Sequence, residues 1–508
     1  MPATPAPSVP DLRAQFEAVL ASMTDEEAQT VSADAMERRL LGQLLALGRA
    51  LFALFLATRA AATAGETDRD PAGVERPSHG ERTRPYLSIF GRVEFARPYF
   101  YRKGVGGRAP ADATLSLPPT VCSDVVRETA EELGVGAAYH KGLGVLRRLL
   151  GLALSTRTLH AQVAEDAPAV AAFYAGQAPP PPEEEGAILV VQADGKGVPL
   201  VRPPRAALPA PVRLGKGQKR GGKKEATLTA IYTIAPAART PEEVVESLFR
   251  DPTAAGASPD GRERARRAGP RHKRLWATLA GKDAALDEVA IHLARREGPH
   301  IAHRVALTDG SQALQERVRR HFPPYALVLD LIHATEYLWK GANALLGEAN
   351  PRRTAWVKAR ALRLLRSQGA AVVADLRTLA QAATCPRRAR TVLAKVAAYL
   401  ERNRPYTDYA TYLARGWPIA TGVIEGACRH LVKDRCELSG MRWTIAGAEA
   451  LLHLRCVHEN DDWDAFHAFR RRQRHRRLYA VPYPDDATAP PDLRALAPGA
   501  VPWPVLAA

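Results

Sequence analysis

Residues 187–198 read AILVVQADGKGV, and this stretch decides the fold class. Four consecutive apolar residues at 188–191 are followed by Asp194, the pattern of a buried strand that carries a carboxylate to its end. A proline-rich acidic segment at 178–186 comes just before and predicts a linker. We therefore expect a new domain to begin here with a central strand.

The pattern recurs twice further along the chain. HRVALTDG (303–310) places Asp309 after a strand-like run, and YALVLD (325–330) ends at Asp330. A helical stretch at 283–296 precedes them. An Asp-Gly pair alone is typical of a turn, but acids repeated at the carboxyl ends of strands in an alternating strand–helix pattern indicate an α/β sheet with a site at that edge.

Helical and strand-like periodicities divide the rest of the chain. Apolar residues at helical spacing predict helices at 11–64, 118–175 and 335–414, the last without any strand signal. Two aromatic and β-branched runs, 86–90 and 93–101, flank a glycine and predict a hairpin. The predicted domains are 1–80, an N-terminal helical arm; 81–117, a small β-hairpin module; 118–180, a helical region like a helix-turn-helix; 181–334, the first part of an α/β core; 335–414, a helical insertion; 415–465, the last part of the core; and 466–508, a basic C-terminal tail.

Composition restricts the class of partner. The 508 residues include 71 Lys and Arg against 54 Asp and Glu, a net charge of +17, which favours a polyanion. Basic segments lie at 202–224, 262–274 and 470–477, although such runs are often simply solvated. With 46% hydrophobic residues the chain can fill a core, which excludes a disordered or collagen-like protein.

Cysteines and hydropathy favour a cytoplasmic location. The five cysteines contain no Cys-x-x-Cys, which indicates reduced thiols and no zinc module. The most apolar run, 40–57, includes Gln43 and Arg49, and a central arginine costs about 2.5 to 3.5 kcal/mol on insertion. We expect no membrane span.

Residues 143–166 resemble a helix-turn-helix. Ser155 or Thr156 would cap its second helix and present Arg157 near the exposed start, where such helices meet DNA. An ordinary pair of packed helices would have the same pattern.

The region around Glu425 predicts a helix with Arg429 and Lys433 at i+4 and i+8. Taken alone, the Glu425–Arg429 pair would be a surface ion pair worth roughly 0.2 to 0.5 kcal/mol.

Six ordered motifs nevertheless resemble those of bacterial insertion-sequence transposases of the Kra type, distant relatives of Mutator-like transposases, over roughly residues 80–460. The motifs are VVQADGKGVPL (190–200), KKEATLTAIYTIAPAARTPEEVVESLF (223–249), HKRLWATL (272–279), ALTDGSQAL (306–314), LDLIHATEYLW (329–339) and GVIEGACRHLVKDRCELSGMRW (422–443).

This resemblance implies a ribonuclease H-like catalytic core with an all-helical insertion, and a DDE triad of Asp194, Asp309 and Glu425. In Mutator-like relatives a Cys-x-x-His follows the second acid, and the matching positions here are Asp330 and His333. Asp330 would therefore supplement or replace Asp309 at the metal. His333 would orient the phosphate or assist proton transfer, unless it is structural.

The implied cofactor is Mg²⁺ or Mn²⁺, as two ions bound by the acids, because carboxylates bind such hard cations. The implied partners are double-stranded DNA, comprising terminal inverted repeats and target DNA, and further copies of the chain in a dimer or larger synaptic complex. Water would be the first nucleophile, and the freed 3′-hydroxyl would then attack target DNA. Candidate DNA-binding residues are Arg157, Lys216, Lys219, Arg220, Lys223, Lys224, Arg429, Lys433, Arg435, Arg442 and Trp443; for Trp443, core packing is the competing interpretation.

Two other functions compete with an active transposase. A catalytically inactive DNA-binding regulator would have the same fold, although the three intact acids count against it. A carboxylate hydrolase such as a glycosidase would need two acids about 5 to 9.5 Å apart. Aromatic residues are only 6% of the chain, sparse for a sugar-binding surface, and the basic segments have no purpose in such an enzyme.

Overall fold

A computed structural model describes residues 7–201, 222–250 and 269–484. The chain forms two compact units. Of the described residues, the first unit comprises 7–134, 139–159 and 467–484, and the second comprises 135–138, 160–201, 222–250 and 269–466. The predicted boundaries at 80, 117 and 180 therefore fall inside these units, and each unit combines segments that are distant in the sequence.

Helices and a small sheet make up the N-terminal part of the chain. Its elements are α1 (Val9–Ala21), α2 (Ala33–Ala61), β1 (Thr67–Arg69), β2 (Glu75–Ser88), β3 (Gly91–Arg102), β4 (Gly106–Arg108), α3 (Pro110–Thr114), α4 (Asp124–Gly136), α5 (Tyr139–Leu150), α6 (Thr156–Asp166) and α7 (Ala169–Gly176). Strands β1 to β4 pair in sequence order as an antiparallel sheet. The predicted hairpin is present, and both of its strands are longer than the aromatic pattern indicates.

Helix α2 has an unusual exposure pattern. By length and composition alone, this helix could cross a membrane. In its most apolar 18-residue stretch the mean hydropathy is 1.9, and only 11% of that stretch is buried inside the protein. One side packs on the small sheet, where Leu56 and Ala60 join Val93 and Phe95 in a core. Other large apolar side chains of α2 are exposed, among them Leu44.

The second unit is built on a five-stranded sheet. The remaining elements are β5 (Ile188–Pro199), β6 (Lys223–Ile234), α8 (Pro241–Leu248), β7 (Arg271–Thr278), α9 (Lys282–Arg296), β8 (His303–Thr308), α10 (Gln312–His321), β9 (Ala326–Leu329), α11 (Leu331–Leu346), α12 (Arg352–Leu365), α13 (Gly369–Gln381), α14 (Arg387–Asn403), α15 (Tyr409–Ala414), α16 (Gly422–Ala427), a π-helix (Cys428–Lys433), α17 (Asp434–Cys436), α18 (Ile445–Glu459) and α19 (Trp463–Tyr479). The strand order is β7-β6-β5-β8-β9, with β5, β6 and β7 antiparallel and β5, β8 and β9 parallel.

Alternate side chains of β5 enter two separate cores. Ile188 and Val190 pack with helices of the insertion, whereas Leu189 and Val191 pack with α9 and α10. Because both faces are covered, the strand is apolar throughout, as its sequence indicates. Residues 335–414 lie in helices α11 to α15 and their connections, and α11 already begins at Leu331.

Three elements differ from the sequence interpretation. Strand β5 continues through Asp194 to Pro199, so this acid lies within the strand and not at its end. Strand β7 occupies Arg271–Thr278, which overlaps the basic segment 262–274 and the motif HKRLWATL and for which no strand was predicted. Residues 466–479, at the start of the predicted C-terminal tail, belong to helix α19.

Candidate active site

Strand pairing places three acids side by side. Gln192 of β5 is aligned with Leu307 of β8, and Thr308 is aligned with Leu329 of β9. Asp194 lies two residues after Gln192, and Asp309 lies two residues after Leu307. In the same way, Asp309 directly follows Thr308, and Asp330 directly follows Leu329. The three carboxylates therefore belong to adjacent positions along one edge of the sheet.

Asp194 is half-buried on the face of β5 that carries the helical insertion. Its Oδ1 accepts a hydrogen bond from the amide of Gly195 at 2.6 Å, and its Oδ2 accepts one from the thiol of Cys428 at 3.3 Å. Burial raises the pKa of Asp194 above its ordinary value, and the charge of Asp309 acts in the same direction. The two carboxylates thus interact electrostatically.

Asp309 sits in the turn after β8, where Gly310 adopts a φ of +87°. Its Oδ1 accepts from the amide of Ser311 at 2.9 Å, and its backbone oxygen accepts from the hydroxyl of Tyr399 at 2.9 Å. A Cβ on Gly310 would lie 2.6 Å from that hydroxyl. Glycine therefore permits both the left-handed turn and the close approach of α14.

Asp330 is fully buried and caps helix α11. Its carboxylate accepts hydrogen bonds from the amides of Ile332, His333 and Thr421 at 3.2 Å each, and from His333 Nδ1 at 2.6 Å. The hydrogen bond with Asp330 raises the pKa of His333 to about 9. At neutral pH the imidazole is therefore protonated and cationic.

Glu425 reaches the site because hydrogen bonds attach the start of its helix to strand β5 and to the residue that follows β9. Gln192 of β5, fully buried, accepts from the amide of Ile424 at 3.0 Å, and Asp330 accepts from that of Thr421. The hydroxyl of Thr421 donates to Glu425 Oε1 at 3.1 Å. The Glu425 side chain is 42% exposed, and its Oε1 lies 3.8 Å from His333 Nδ1.

The structure brings together three of the residues proposed for the chemistry, because ligand atoms of Asp330, His333 and Glu425 lie within 4.8 Å of one another. Asp194 and Asp309 are outside that group, although the charges of Asp309 and His333 both act on the pKa of Asp194. The sequence interpretation did not include the residues that support this group, namely Gln192, Tyr399, Thr421 and Cys428. Only the position of Cys428, three residues after Glu425 in a predicted helix, could have indicated its neighbourhood.

The predicted DNA-binding residues have mixed positions. Those with solvent-exposed side chains are Arg157, Lys223, Arg429, Lys433 and Arg442, whereas Lys224 is half-buried. Lys223 forms an ion pair with Glu437. Lys216, Lys219 and Arg220 lie outside the described residues.

Two of these predictions were wrong because the side chains are buried. Arg435 is 1% exposed, with its guanidinium 5.0 Å above the ring of Trp443 and 3.2 Å from the sulfur of Met441. Trp443 is 8% exposed, and its indole donates to the backbone oxygen of Cys436 at 3.2 Å. Both residues hold the segment after Glu425 together, so neither is available to contact DNA.

A π-helix changes the register after Glu425. Residues Cys428–Lys433 form a π-helix, in which hydrogen bonds join residues five apart. Among the ion pairs of the described residues, the expected pair between Glu425 and Arg429 is therefore absent. Arg429 instead lies 3.5 Å from Asp434. Glu425 is consequently left beside His333.

No protein-family model and no curated protein matches this chain. Among solved structures, the chain is similar to a Drosophila P element transposase strand transfer complex, with 8% sequence identity and a TM-score of 0.24. That match covers 72% of this chain and 83% of the other.

Proposed function

We propose that this protein is a DDE transposase that cleaves DNA at the terminal inverted repeats of an insertion sequence and joins the freed ends to target DNA. The observation that carries the proposal is that Asp194 and Asp309, which influence each other's surroundings, and Glu425 all have His333 or Cys428 as a shared neighbour, although more than a hundred residues separate each acid from the next. Residues held together in this way suit a reaction that needs several anionic ligands at one point.

The sheet supports the same proposal. A five-stranded sheet with three antiparallel strands followed by two parallel strands agrees with the ribonuclease H-like core implied by the motifs. A helical block between Asp330 and Glu425 agrees with the implied insertion before the last acid.

The donor set fits hard divalent cations. Asp194, Asp309 and Glu425 offer carboxylate oxygens, and the first two remain partly accessible. When bound, two Mg²⁺ or Mn²⁺ ions would activate the attacking oxygen and stabilise the leaving oxygen of the phosphodiester. Asp330 already accepts four hydrogen bonds, so we assign it to positioning and Asp309 to ligation.

His333 has a different role in this proposal. Because its Nδ1 donates to Asp330 and the ring is protonated at neutral pH, it cannot ligate a cation through that atom. A cationic imidazole beside Glu425 can instead hold a phosphate oxygen of the substrate. The hydrogen bond from His333 Nδ1 to Asp330 fixes the ring in that orientation.

The proposed partners are duplex DNA and, for synapsis of two ends, at least one further copy of the chain, and the proposed location is the cytoplasm. The exposed cations Arg157, Arg429, Lys433 and Arg442 remain proposed phosphate contacts.

The test is a nicking assay on duplexes made from the DNA that flanks the coding sequence on each side. We expect cuts at an inverted-repeat boundary with Mg²⁺ or Mn²⁺ and none with a chelator. Asp194→Asn and Glu425→Gln should abolish the cuts while binding persists. Glu348→Gln, a change at an exposed acid beyond the end of α11, is the matched control and should cut normally.

Other results would contradict the proposal. Binding without cuts under every metal would favour the inactive regulator. Absence of binding even at low salt would exclude both functions, because phosphate contacts strengthen as salt falls.

A further inference from the structure

One side of helix α14 carries basic residues at regular intervals. Arg388, Lys395 and Arg402 are spaced by seven residues, close to two helical turns, so they lie in one line along the helix. All three are exposed, as are Thr391 and Ala398 between them, and no acid interrupts the line.

The three cations have no carboxylate partner within the described ranges. Some other cations of the insertion are paired with acids: Arg360 pairs with Asp375 at 2.6 Å, and Arg366 pairs with Glu242 at 2.6 Å. The line along α14 therefore keeps its full charge toward solvent.

The line ends at the candidate active site. Arg402 Nη2 donates to the backbone oxygen of Gly310 at 3.0 Å, immediately after Asp309. Tyr399 on the same helix stacks on Tyr337 of α11 with ring centroids 3.7 Å apart, and Lys340 lies 4.1 Å above the ring of Tyr337. These contacts fix the C-terminal end of α14 against the turn that carries the acid.

The insertion as a whole is strongly basic. Residues 331–414 contain 14 Lys and Arg against five Asp and Glu, a net charge of +9 in a chain whose total is +17. A block of this charge beside an acidic site attracts a polyanion.

We propose that Arg388, Lys395 and Arg402 bind phosphates along one strand of duplex DNA and guide that strand to the acids. The inference rests on the proposed function and adds a DNA-binding surface to it. The line spans about 21 Å at 1.5 Å per residue. With one phosphate per about 3.4 Å of a DNA strand, it matches about six nucleotides beside the cleavage point.

The test measures the salt dependence of binding to a duplex of random sequence by fluorescence anisotropy. The double variant R388A/K395A should reduce the slope of log K against log salt by about 1.8, since each lost phosphate contact contributes about 0.9. The matched control, K358A/R377A, removes two exposed cations from α12 and α13 and should leave the slope close to that of the unmodified protein. Thermal unfolding verifies that both variants are folded.

Three outcomes would overturn the inference: an unchanged slope for R388A/K395A, an equal reduction in the control, or tighter binding to an RNA duplex of the same sequence. If the unmodified protein nicks repeat DNA and R388A/K395A nicks it equally well with the same affinity, the proposed DNA-binding role of α14 is wrong, but the proposed function stands. If the unmodified protein neither binds nor nicks DNA, the proposed function fails as well.

Discussion

Asp309 and Asp330 follow neighbouring strands but have different surroundings. Asp330 is fully buried with four hydrogen bonds to its carboxylate, whereas Asp309 is half-buried and accepts one from Ser311. A metal ligand needs free lone pairs, so the less saturated carboxylate is better suited to that role.

Replacing Asp309 with cysteine tests this assignment. We expect Asp309→Cys to lose at least about a hundredfold of nicking in Mg²⁺, or about 2.7 kcal/mol of barrier. Mn²⁺ should restore part of the rate, because it accepts sulfur ligands more readily than Mg²⁺ does. Asp330→Cys should instead unfold at lower temperature and gain nothing from Mn²⁺. Restoration in Asp330→Cys but not in Asp309→Cys would reverse the two roles.

Cys428 is a positioning residue for Asp194. Its buried thiol donates to Oδ2, and loss of that donor in Cys428→Ala should slow nicking by about fivefold, equivalent to about 1 kcal/mol. Cys428→Ser keeps a donor and should recover most of the rate. Equal rates in the two variants would show that the thiol only fills space.

Gly310 permits the turn that holds Asp309. Gly310→Ala places a Cβ 2.6 Å from the hydroxyl of Tyr399 at a φ of +87°, so we expect a loss of about 2 kcal/mol in urea unfolding. Gly176→Ala, at a helical glycine with open space around it, is the control and should be neutral or slightly stabilising. A stable Gly310→Ala protein would mean that α14 can move away from the turn.

The candidate site residues were proposed from the sequence, while the residues that support them were not. Asp194, Asp309, His333 and Glu425 lie in motifs whose residue types indicate metal and phosphate chemistry. Burial of Arg435 depends instead on a local π-helix and on packing with later residues, neither of which leaves a periodic signal.

Among elements, α4 and α19 are joined by a buried ion network in the first unit. Asp124, in the first turn of α4, accepts from Arg470 at 3.0 Å and from Arg474. Burial alone would raise the pKa of Asp124, but the two guanidinium groups hold it below its ordinary value. Part of the basic C-terminal segment is therefore structural.

Asp124→Asn should destabilise the unit by about 3 kcal/mol at pH 7, as expected when a buried pair loses one charge. Because the folded pKa is lowered, this stabilisation is present above about pH 4 and is lost as the pH falls through the folded value. The difference from the unmodified protein should shrink near pH 3 in thermal unfolding. Asp34→Asn, which removes an exposed ion pair, should change little at either pH. A pH-independent difference for Asp124→Asn would contradict the network.

Strands differ in how clearly the sequence indicates them. Strands β5, β8 and β9 are apolar because both sheet faces are covered, so their sequences identify them. Strand β7 lies at an edge, and its first four residues include three Lys and Arg that are at least partly exposed, so basic composition concealed it. The cations were interpreted as a binding segment because an edge strand tolerates charge.

For the whole molecule, the clustered acids predict that divalent ions stabilise the fold. Mg²⁺ at about a hundredfold its dissociation constant should add about 2.7 kcal/mol to the stability of the second unit. The rise in melting temperature should be abolished by chelation and in Asp194→Asn, but not in Glu348→Gln. An equal rise in Asp194→Asn would place the ion elsewhere.

The order of domains along the chain was less predictable than the elements. Residues 467–484 fold with the N-terminal segments, and residues 135–138 fold with the second unit. Sequence composition indicates where linkers lie, but it does not indicate which distant helices pack together.

The attachment of residues 421–424 to Gln192 and Asp330 has a consequence for shortened products. A premature stop codon before this segment would yield a polypeptide in which the buried amide oxygen of Gln192 loses its donor Ile424 and Asp330 loses one of its four donors. A buried acceptor left without a donor costs about 1 to 3 kcal/mol, a large part of the stability of a typical domain. Cellular proteases should remove such fragments, so truncated copies of this chain should not accumulate beside the full-length protein.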